Sequence, residues 1–151
     1  MQHTQVEILL VEDNHYEAEL TIRSLKKNNL ANSLLHIDDG AEALNFIFSR
    51  EKYESNKNAQ RPKLIVLDLK LPGVDGLEIL RQVKSNEQTK IIPVVILTSS
   101  NQDRDIIESY QLGVNSYIVK PVNFDSFIKA VSDLGLYWVI HNQSPGELKN
   151  E

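Results

Sequence analysis

The sequence contains no cysteine, which excludes disulfides and any metal site built on thiolates. That absence suits the reducing cytosol, and we predict a cytoplasmic location. No apolar run approaches the roughly 20 residues of a membrane-spanning helix, and the first residues, MQHTQVEI, lack the basic segment and apolar stretch of a signal peptide. Lys and Arg (16) are fewer than Asp and Glu (21), so the charge balance disfavours nucleic acid or an anionic membrane as a partner.

The composition is that of a water-soluble globular domain. The chain has 151 residues, of which 41% are hydrophobic and 25% charged, enough for one domain with a buried core. The stretch 49–63 is polar, has no periodicity and is long for a loop between a helix and a strand. We expect one domain over 1–140, followed by a loosely packed polar tail over 141–151.

Short apolar runs alternate with amphipathic segments along the chain. The runs predicted as strands are VEILLV (6–11), SLLHI (33–37), LIVLD (64–68), PVVILT (93–98) and SYIVK (116–120). Helical spacing of apolar residues predicts helices over 14–29, 40–50 and 76–86, around 106–110, and from about 123. Strict alternation predicts an α/β fold, a doubly wound five-stranded parallel sheet with the flavodoxin-like strand order 2-1-3-4-5.

Polar residues with possible chemical roles follow four of the five predicted strands. Glu12 and Asp13 follow the first strand and Asp68 ends the third. Thr98 ends the fourth strand and Lys120 the fifth. Because the carboxyl ends of parallel strands meet at one edge of the sheet, we expect these side chains to converge.

The convergence of three carboxylates has chemical consequences. Carboxylates at close range repel one another, and a cation relieves that repulsion. Oxygen ligands without histidine or cysteine suit a hard ion such as Mg²⁺. A carboxylate can also attack phosphorus to form an aspartyl phosphate, with a metal ion and Lys120 neutralising the charge that develops and Thr98 donating a hydrogen bond.

Each residue also has an ordinary structural explanation. Asp13, with Asn14, is a favoured N-cap for the following helix. Asp68 can be a solvated strand end, Thr98 a β-former and Lys120 a surface lysine. These explanations would all have to hold independently for residues at one edge of one sheet. A functional site explains the presence of all these residues at that edge with a single cause.

Four motifs in order, LLVEDN, LIVLDLKLPGVDG, VVILTSS and SYIVKP, resemble the receiver domain of two-component response regulators over about residues 6–135. The resemblance implies that Asp68 accepts a phosphoryl group from a histidine kinase. It implies that Asp13 and Asp68 bind Mg²⁺ directly and Glu12 through water. The main-chain carbonyl of Lys70 would be a further ligand.

The resemblance also implies a conformational switch. Lys120, aimed inward by a cis bond before Pro121, would contact a phosphoryl oxygen. Thr98 would move to another phosphoryl oxygen, and Tyr117, otherwise a packing residue, would turn inward to fill the space. The surface formed by the fourth helix, the fifth strand and the fifth helix would then change shape.

Two positions beside the implied acceptor lack a side chain that could orient water. Lys70 lies two residues after Asp68, and Ser100 two residues after Thr98. Neither is an acid or an amide that would direct water at an acyl phosphate, so we expect a comparatively long-lived phosphoryl group.

The expected domain leaves no room for an output domain, so output would be contact with a partner protein or dimerisation. The run LGLYWVI (134–140) has more large apolar residues than one helix face buries. Either the tail folds over them, or they and the fourth helix–fifth strand–fifth helix surface form a homodimer interface. The loop at 49–63 and the YWVI end resemble stand-alone receivers that pair with bacterial phytochrome kinases.

Two rival functions are also considered for this sequence. A dehalogenase-type phosphatase also has an aspartyl nucleophile after a parallel strand, but its usual second acid is replaced by Lys70. A receiver-like binding module that is never phosphorylated would not need the acidic site. We predict a phosphoacceptor signalling protein rather than an enzyme.

Overall fold

A central parallel sheet organises the chain in the computed structural model, which describes residues 6–30, 33–56, 61–121 and 123–143, without the side chains of 55 and 56. The strands are β1 (Ile8–Val11), β2 (Leu34–Ile37), β3 (Leu64–Leu67), β4 (Val94–Thr98) and β5 (Ser116–Val119). Every pairing is parallel and the order is β2-β1-β3-β4-β5, which confirms the predicted fold class. The register aligns Val11 with Ile37 and Leu67, so the residues that follow these strands lie at one edge.

Five α-helices connect and cover the strands, close to the predicted bounds. They are α1 (His15–Lys26), α2 (Gly40–Ile47), α3 (Gly76–Lys84), α4 (Asp103–Gln111) and α5 (Phe124–Gly135). Inside the predicted loop at 49–63, Glu51–Asn56 form a 3-10 helix, and residues 57–60 lie outside the described ranges. A π-helical segment, Leu136–His141, continues α5.

The apolar strands have no polar face because helices cover both sides of the sheet. Leu9 and Val11 pack with buried residues of α2 and α3, whereas Ile8 and Leu10 pack with buried residues of α1 and α5. All four side chains are at most 2% exposed. Each such burial contributes roughly 1.5–3 kcal/mol, so the sheet is a rigid support for the residues at its edge.

Side-chain capping separates α4 from the other α-helices. The N-cap side chains of α1, α2, α3 and α5 accept a hydrogen bond from the backbone of the first turn; they are Asn14, Asp39, Asp75 and Asn123. The N-cap of α4, Gln102, makes no such bond. Of the two residues proposed as caps for α1, Asn14 takes that position.

The end of α5 leaves large apolar side chains in solvent. Tyr137 is 52% and Ile140 59% exposed, while Trp138 is half-buried against the α1/α5 side of the core. Residues 144–151 lie outside the described ranges, so the covering tail and the dimer surface both stay predictions. In the part of the chain that is described, no helix combines the length and the apolar character needed to cross a bilayer.

Candidate functional site

Three of the predicted site residues meet at the carboxyl edge of the sheet. Glu12, Asp68 and Lys120 follow β1, β3 and β5, and each is less than 10% exposed. The Lys120 ammonium donates to Glu12 Oε1 at 2.7 Å and to Asp68 Oδ2 at 2.9 Å. These ion pairs therefore link the end of β5 to the ends of β1 and β3, neither of which is next to β5 in the sheet.

Glu17 is a fourth member that sequence analysis missed. Its Oε1 lies 2.5 Å from Lys120 Nζ, and its side chain is 35% exposed. Glu17 stands in the first turn of α1, where its backbone N–H donates to the Asn14 cap. A signal was present, because a helix that begins just after the strand-end acids returns its first turn to the same edge.

Burial and mutual charge set the ionisation of this cluster. Burial raises the pKa of Glu12 to about 7; hydrogen bonding to Lys120 lowers it and the nearby Asp68 charge raises it. Burial alone would lower the pKa of Lys120, but hydrogen bonds to Glu12, Glu17 and Asp68 raise it above its ordinary value. The three carboxylates therefore favour the charged form of the lysine at the centre of the cluster.

Asp68 is held as a carboxylate by hydrogen bonds to both of its oxygens. Lys120 bonds Oδ2, and the backbone N–H of Lys70 donates to Oδ1 at 3.2 Å. Burial by itself would raise the pKa of Asp68, but Lys120, the fully buried Thr98 side chain and the Lys70 amide together bring it below its ordinary value. The fold thus presents an ionised carboxylate at a strand end.

Two glycines in the β3–α3 loop fix the path of the chain beside Asp68. Gly73 has φ of +71°, in the left-handed region that glycine adopts without strain. Gly76 has a different task, because a Cβ there would lie 2.3 Å from the main-chain oxygen of Asp68 and 2.6 Å from Leu69 Cα. Only glycine lets α3 start this close to the acceptor strand.

Asp13, expected as a direct metal ligand, has an exposed side chain. It lines a cavity of about 440 Å³ together with Lys70 and Asp105. The single group of three potential metal-ligating side chains within the described ranges is Glu12, Glu17 and Asp68, whose oxygens lie within 4.8 Å of one another. Metal binding by Asp13 and by the Lys70 carbonyl therefore stays a prediction.

Tyr117 lies in β5 and Lys120 directly follows it, but the two side chains have different surroundings. The Tyr117 ring is half-buried against the α2/α3 side of the core, and its hydroxyl donates to the Ser100 main-chain oxygen at 2.9 Å. Lys120 points inward although no cis peptide bond occurs among the described residues. A cis Lys120–Pro121 bond is not what aims this lysine in the structure.

A divalent cation suits this donor set. Glu12, Glu17 and Asp68 offer only oxygen ligands, the chemistry that hard ions prefer. Ionised, the three carboxylates carry one negative charge each against the single positive charge of Lys120. The excess of negative charge would be balanced by a doubly charged ion.

Comparison with known proteins gives the same family as the motifs. Residues 8–132 match the response regulator receiver domain. The chain is 40% identical over 132 residues to response regulator Rcp1 of Synechocystis sp., covering 87% of this chain and 88% of Rcp1. It is 37% identical over 139 residues to the probable methanogenesis regulatory protein FilR2 of Methanothrix harundinacea, covering 92% and 87%.

Solved structures extend the likeness to the backbone. The Mn²⁺-bound form of Rcp1 superposes with a TM-score of 0.84 at 39% identity, covering 91% of this chain and 97% of that chain. The phosphorylated cyanobacterial phytochrome response regulator RcpA superposes with a TM-score of 0.86 at 36% identity, covering 93% and 99%. Strand order, motifs and sequence identity agree, and the chain therefore belongs to the receiver-domain family of two-component response regulators, related to those of phytochromes.

Proposed function

We propose that this response regulator accepts a phosphoryl group on Asp68 from a histidine kinase, with Mg²⁺ as cofactor. The observation that carries the proposal is the environment of Asp68. Asp68 follows a buried strand, and its Oδ2 lies 2.9 Å from the ammonium of Lys120, whose hydrogen bond lowers the pKa of the carboxyl.

The proposed reaction moves one phosphoryl group between two proteins. A carboxylate oxygen of Asp68 attacks phosphorus, and the bond from phosphorus to the kinase histidine nitrogen breaks, so that nitrogen keeps the electron pair and takes up a proton from solvent. Lys120 holds the carboxylate in place beforehand and afterwards contacts a phosphoryl oxygen. Thr98, fully buried beside Asp68, donates to another phosphoryl oxygen.

Glu12, Asp13 and Asp68 are the proposed side-chain ligands of Mg²⁺, with Glu12 acting through water and the Lys70 carbonyl as a further ligand. When bound, Mg²⁺ neutralises negative charge on the transferred group. The all-oxygen cluster of Glu12, Glu17 and Asp68 supports a divalent site at this edge. The Mn²⁺-bound form of the relative Rcp1 supports it independently.

The proposed signal is a change at Thr98 and Tyr117. Phosphorylation adds roughly −1.5 to −2 charges at one point, which attracts the Thr98 hydroxyl. Tyr117 then turns further inward, releasing the bond from its hydroxyl to the Ser100 carbonyl. Two such states need to differ little in energy for one phosphoryl group to choose between them.

A long phosphoryl lifetime is part of the proposal. Lys70 and Ser100 lie two residues after Asp68 and Thr98 and would border the path of water to the phosphoryl group. Both side chains bind Asp105. A lysine and a serine held in this way offer no general base to an attacking water.

The proposed partner is a histidine kinase of the phytochrome type, as the relation to RcpA suggests. The chain would act as one receiver domain over 1–140, in the cytoplasm. Output would pass to a protein partner or a homodimer through the α4–β5–α5 surface and the 134–140 segment, where Ile107, Tyr110 and Ile140 are each more than half exposed.

Incubation with acetyl phosphate and Mg²⁺, followed by intact mass measurement, tests the proposal. We expect one phosphoryl adduct per chain, absent in Asp68→Asn and absent when EDTA removes the metal. Catalytic turnover of a phosphoester would indicate a phosphatase instead. Lack of any adduct, from this donor or from a phytochrome-type kinase, would indicate a binding module that is never phosphorylated.

A further inference from the structure

Asp105 is a buried carboxylate that the proposed phosphotransfer does not use. It lies in the first turn of α4, and its side chain is 8% exposed. Its Oδ2 accepts a hydrogen bond from Ser100 Oγ at 2.5 Å and lies 3.4 Å from Lys70 Nζ. The hydrogen bond from Ser100 lowers the pKa of Asp105, so the group is charged at neutral pH.

The partners of Asp105 come from the two loops that flank the acceptor. Lys70 is two residues after Asp68, and its backbone N–H is already bonded to the acceptor carboxylate. Ser100 is two residues after Thr98, and its backbone N–H lies 3.4 Å from Thr98 Oγ1. One carboxylate on α4 therefore restrains both residues that adjoin the proposed site.

The Lys70 ammonium is placed where it could pair with Asp105 or with an approaching phosphate donor. Its side chain is 60% exposed, and it lines the same 440 Å³ cavity as Asp13 and Asp105. Leu69, the residue after Asp68, also lines this cavity, so a phosphate donor approaching Asp68 would bring negative charge near the Lys70 ammonium. Asp105 and the donor would compete for the same cation.

We infer, on the basis of the proposed phosphoryl acceptor, that Asp105 is a positioning residue that withholds the Lys70 ammonium from phosphodonors entering this cavity. Removing the charge of Asp105 frees Lys70 to pair with the donor dianion, so phosphorylation of Asp68 becomes faster at limiting donor. The gain depends on Lys70 and disappears when Lys70 has no charge.

The test is a double-mutant cycle on the rate of phosphorylation by limiting acetyl phosphate with Mg²⁺, followed by intact mass. Asp105→Asn keeps the shape of the side chain and its hydrogen bonding to Ser100. We expect it to raise the rate about two- to fivefold, the size of a partly exposed ion pair. Lys70→Gln should give no increase, and the double variant should match Lys70→Gln alone.

Asp103→Asn is the matched control, because Asp103 is an exposed acid in the same turn of α4. It removes the same charge from the protein without freeing Lys70, and we expect less than half the gain of Asp105→Asn. Should Asp105→Asn unfold below the assay temperature, Asp105→Ser, a residue suited to the first turn of a helix, tests the same expectation.

The inference is overturned if the gain persists in the Lys70→Gln background, if Asp103→Asn gives the same gain, or if the folded Asp105 variants are no faster than wild type. These outcomes differ from a failure of the proposed function. In that case the wild type itself would acquire no adduct that depends on Asp68.

Discussion

The hydroxyl of Tyr117 is bonded to the main-chain oxygen of Ser100, 2.9 Å away, and ties β5 to the loop that leads from β4 into α4. Ser100 is also held from the other side, because its own hydroxyl donates to Asp105. The loop after Thr98 is therefore fastened at one residue by two elements, one of them the proposed switch tyrosine.

Tyr117→Phe should loosen this loop without unfolding the protein. Loss of one hydrogen bond costs about 0.5–1.5 kcal/mol, and the ring keeps its packing. We expect faster amide hydrogen exchange over residues 99–102 in the unphosphorylated protein, measured by mass spectrometry.

The control for Tyr117→Phe is Tyr110→Phe, since Tyr110 is 53% exposed on α4. It should leave exchange in this loop unchanged. Equal protection in Tyr117→Phe and wild type would show that the hydroxyl does not fasten the loop.

Lys120→Gln should destabilise the protein because three carboxylates then lose their common cation. Leaving buried charges without a partner costs about 3–5 kcal/mol. Urea denaturation in EDTA measures the loss, and millimolar Mg²⁺ should restore part of it, since a divalent ion takes over the neutralisation.

Lys129→Gln is the matched control, because Lys129 pairs with Asp133 on the surface and both side chains are more than 60% exposed. Its effect should stay within about 0.5 kcal/mol. A Lys120→Gln protein as stable as Lys129→Gln would contradict a buried counter-charge.

Gly76→Ala should be more harmful than Gly73→Ala, although Gly73 has positive φ and Gly76 does not. The new Cβ at 76 would meet the backbone of Asp68 and Leu69, which can yield only by moving the acceptor. We expect a loss of about 2–4 kcal/mol and slower phosphorylation. At Gly73 no atom lies within 4 Å of a new Cβ, so only the conformational penalty of about 1–2 kcal/mol applies. Thermal unfolding of both variants measures the two losses of stability. Equal losses would contradict the expectation that Gly76→Ala is the more harmful change.

Lys84 gives a prediction about pH at the opposite edge of the sheet. Its ammonium donates to the carbonyls of Lys90 and Ile92 and to the Asn115 side chain, and burial lowers its pKa to about 8. The unfolded chain, with an ordinary lysine pKa of about 10.4, then holds more protons than the folded one between about pH 8 and pH 10. Stability contributed by this residue therefore rises with pH across that window.

Comparison with Lys84→Met isolates the effect of Lys84. The difference in free energy of unfolding between wild type and the variant should shift in favour of wild type by about 1–2 kcal/mol from about pH 7 to about pH 9.5, after allowance for partial exposure. Urea titrations at both values measure it. A difference that does not change with pH would contradict the lowered pKa.

The strand-end residues were predictable because alternation of strands and helices fixes which chain positions share an edge. Glu12, Asp68 and Lys120 meet there with no information beyond the order of the strands. What alternation cannot give is the direction of each side chain. Asn14 is the N-cap of α1. Asp13 before it is exposed, whereas Glu12 is buried.

Contacts made by helices were harder to foresee than those made by strand ends. Glu17 reaches Lys120 because α1 lies against the sheet at a particular angle, and sequence periodicity gives the face of a helix but not its tilt. Asp105 binds residues of two loops whose paths depend on tertiary packing. Neither carboxylate stands at a position that the order of strands constrains.

The missing side-chain cap of α4 bears on how this protein transmits a signal. The other four α-helices would each have to give up a capping bond before their first turn could shift, but Gln102 makes none. The amino-terminal turn of α4 is instead held by the contacts of Asp105 with Ser100 and Lys70. On the proposed mechanism, phosphorylation of Asp68 would shift this helix by exchanging these polar contacts, with the hydrophobic layers beneath unchanged.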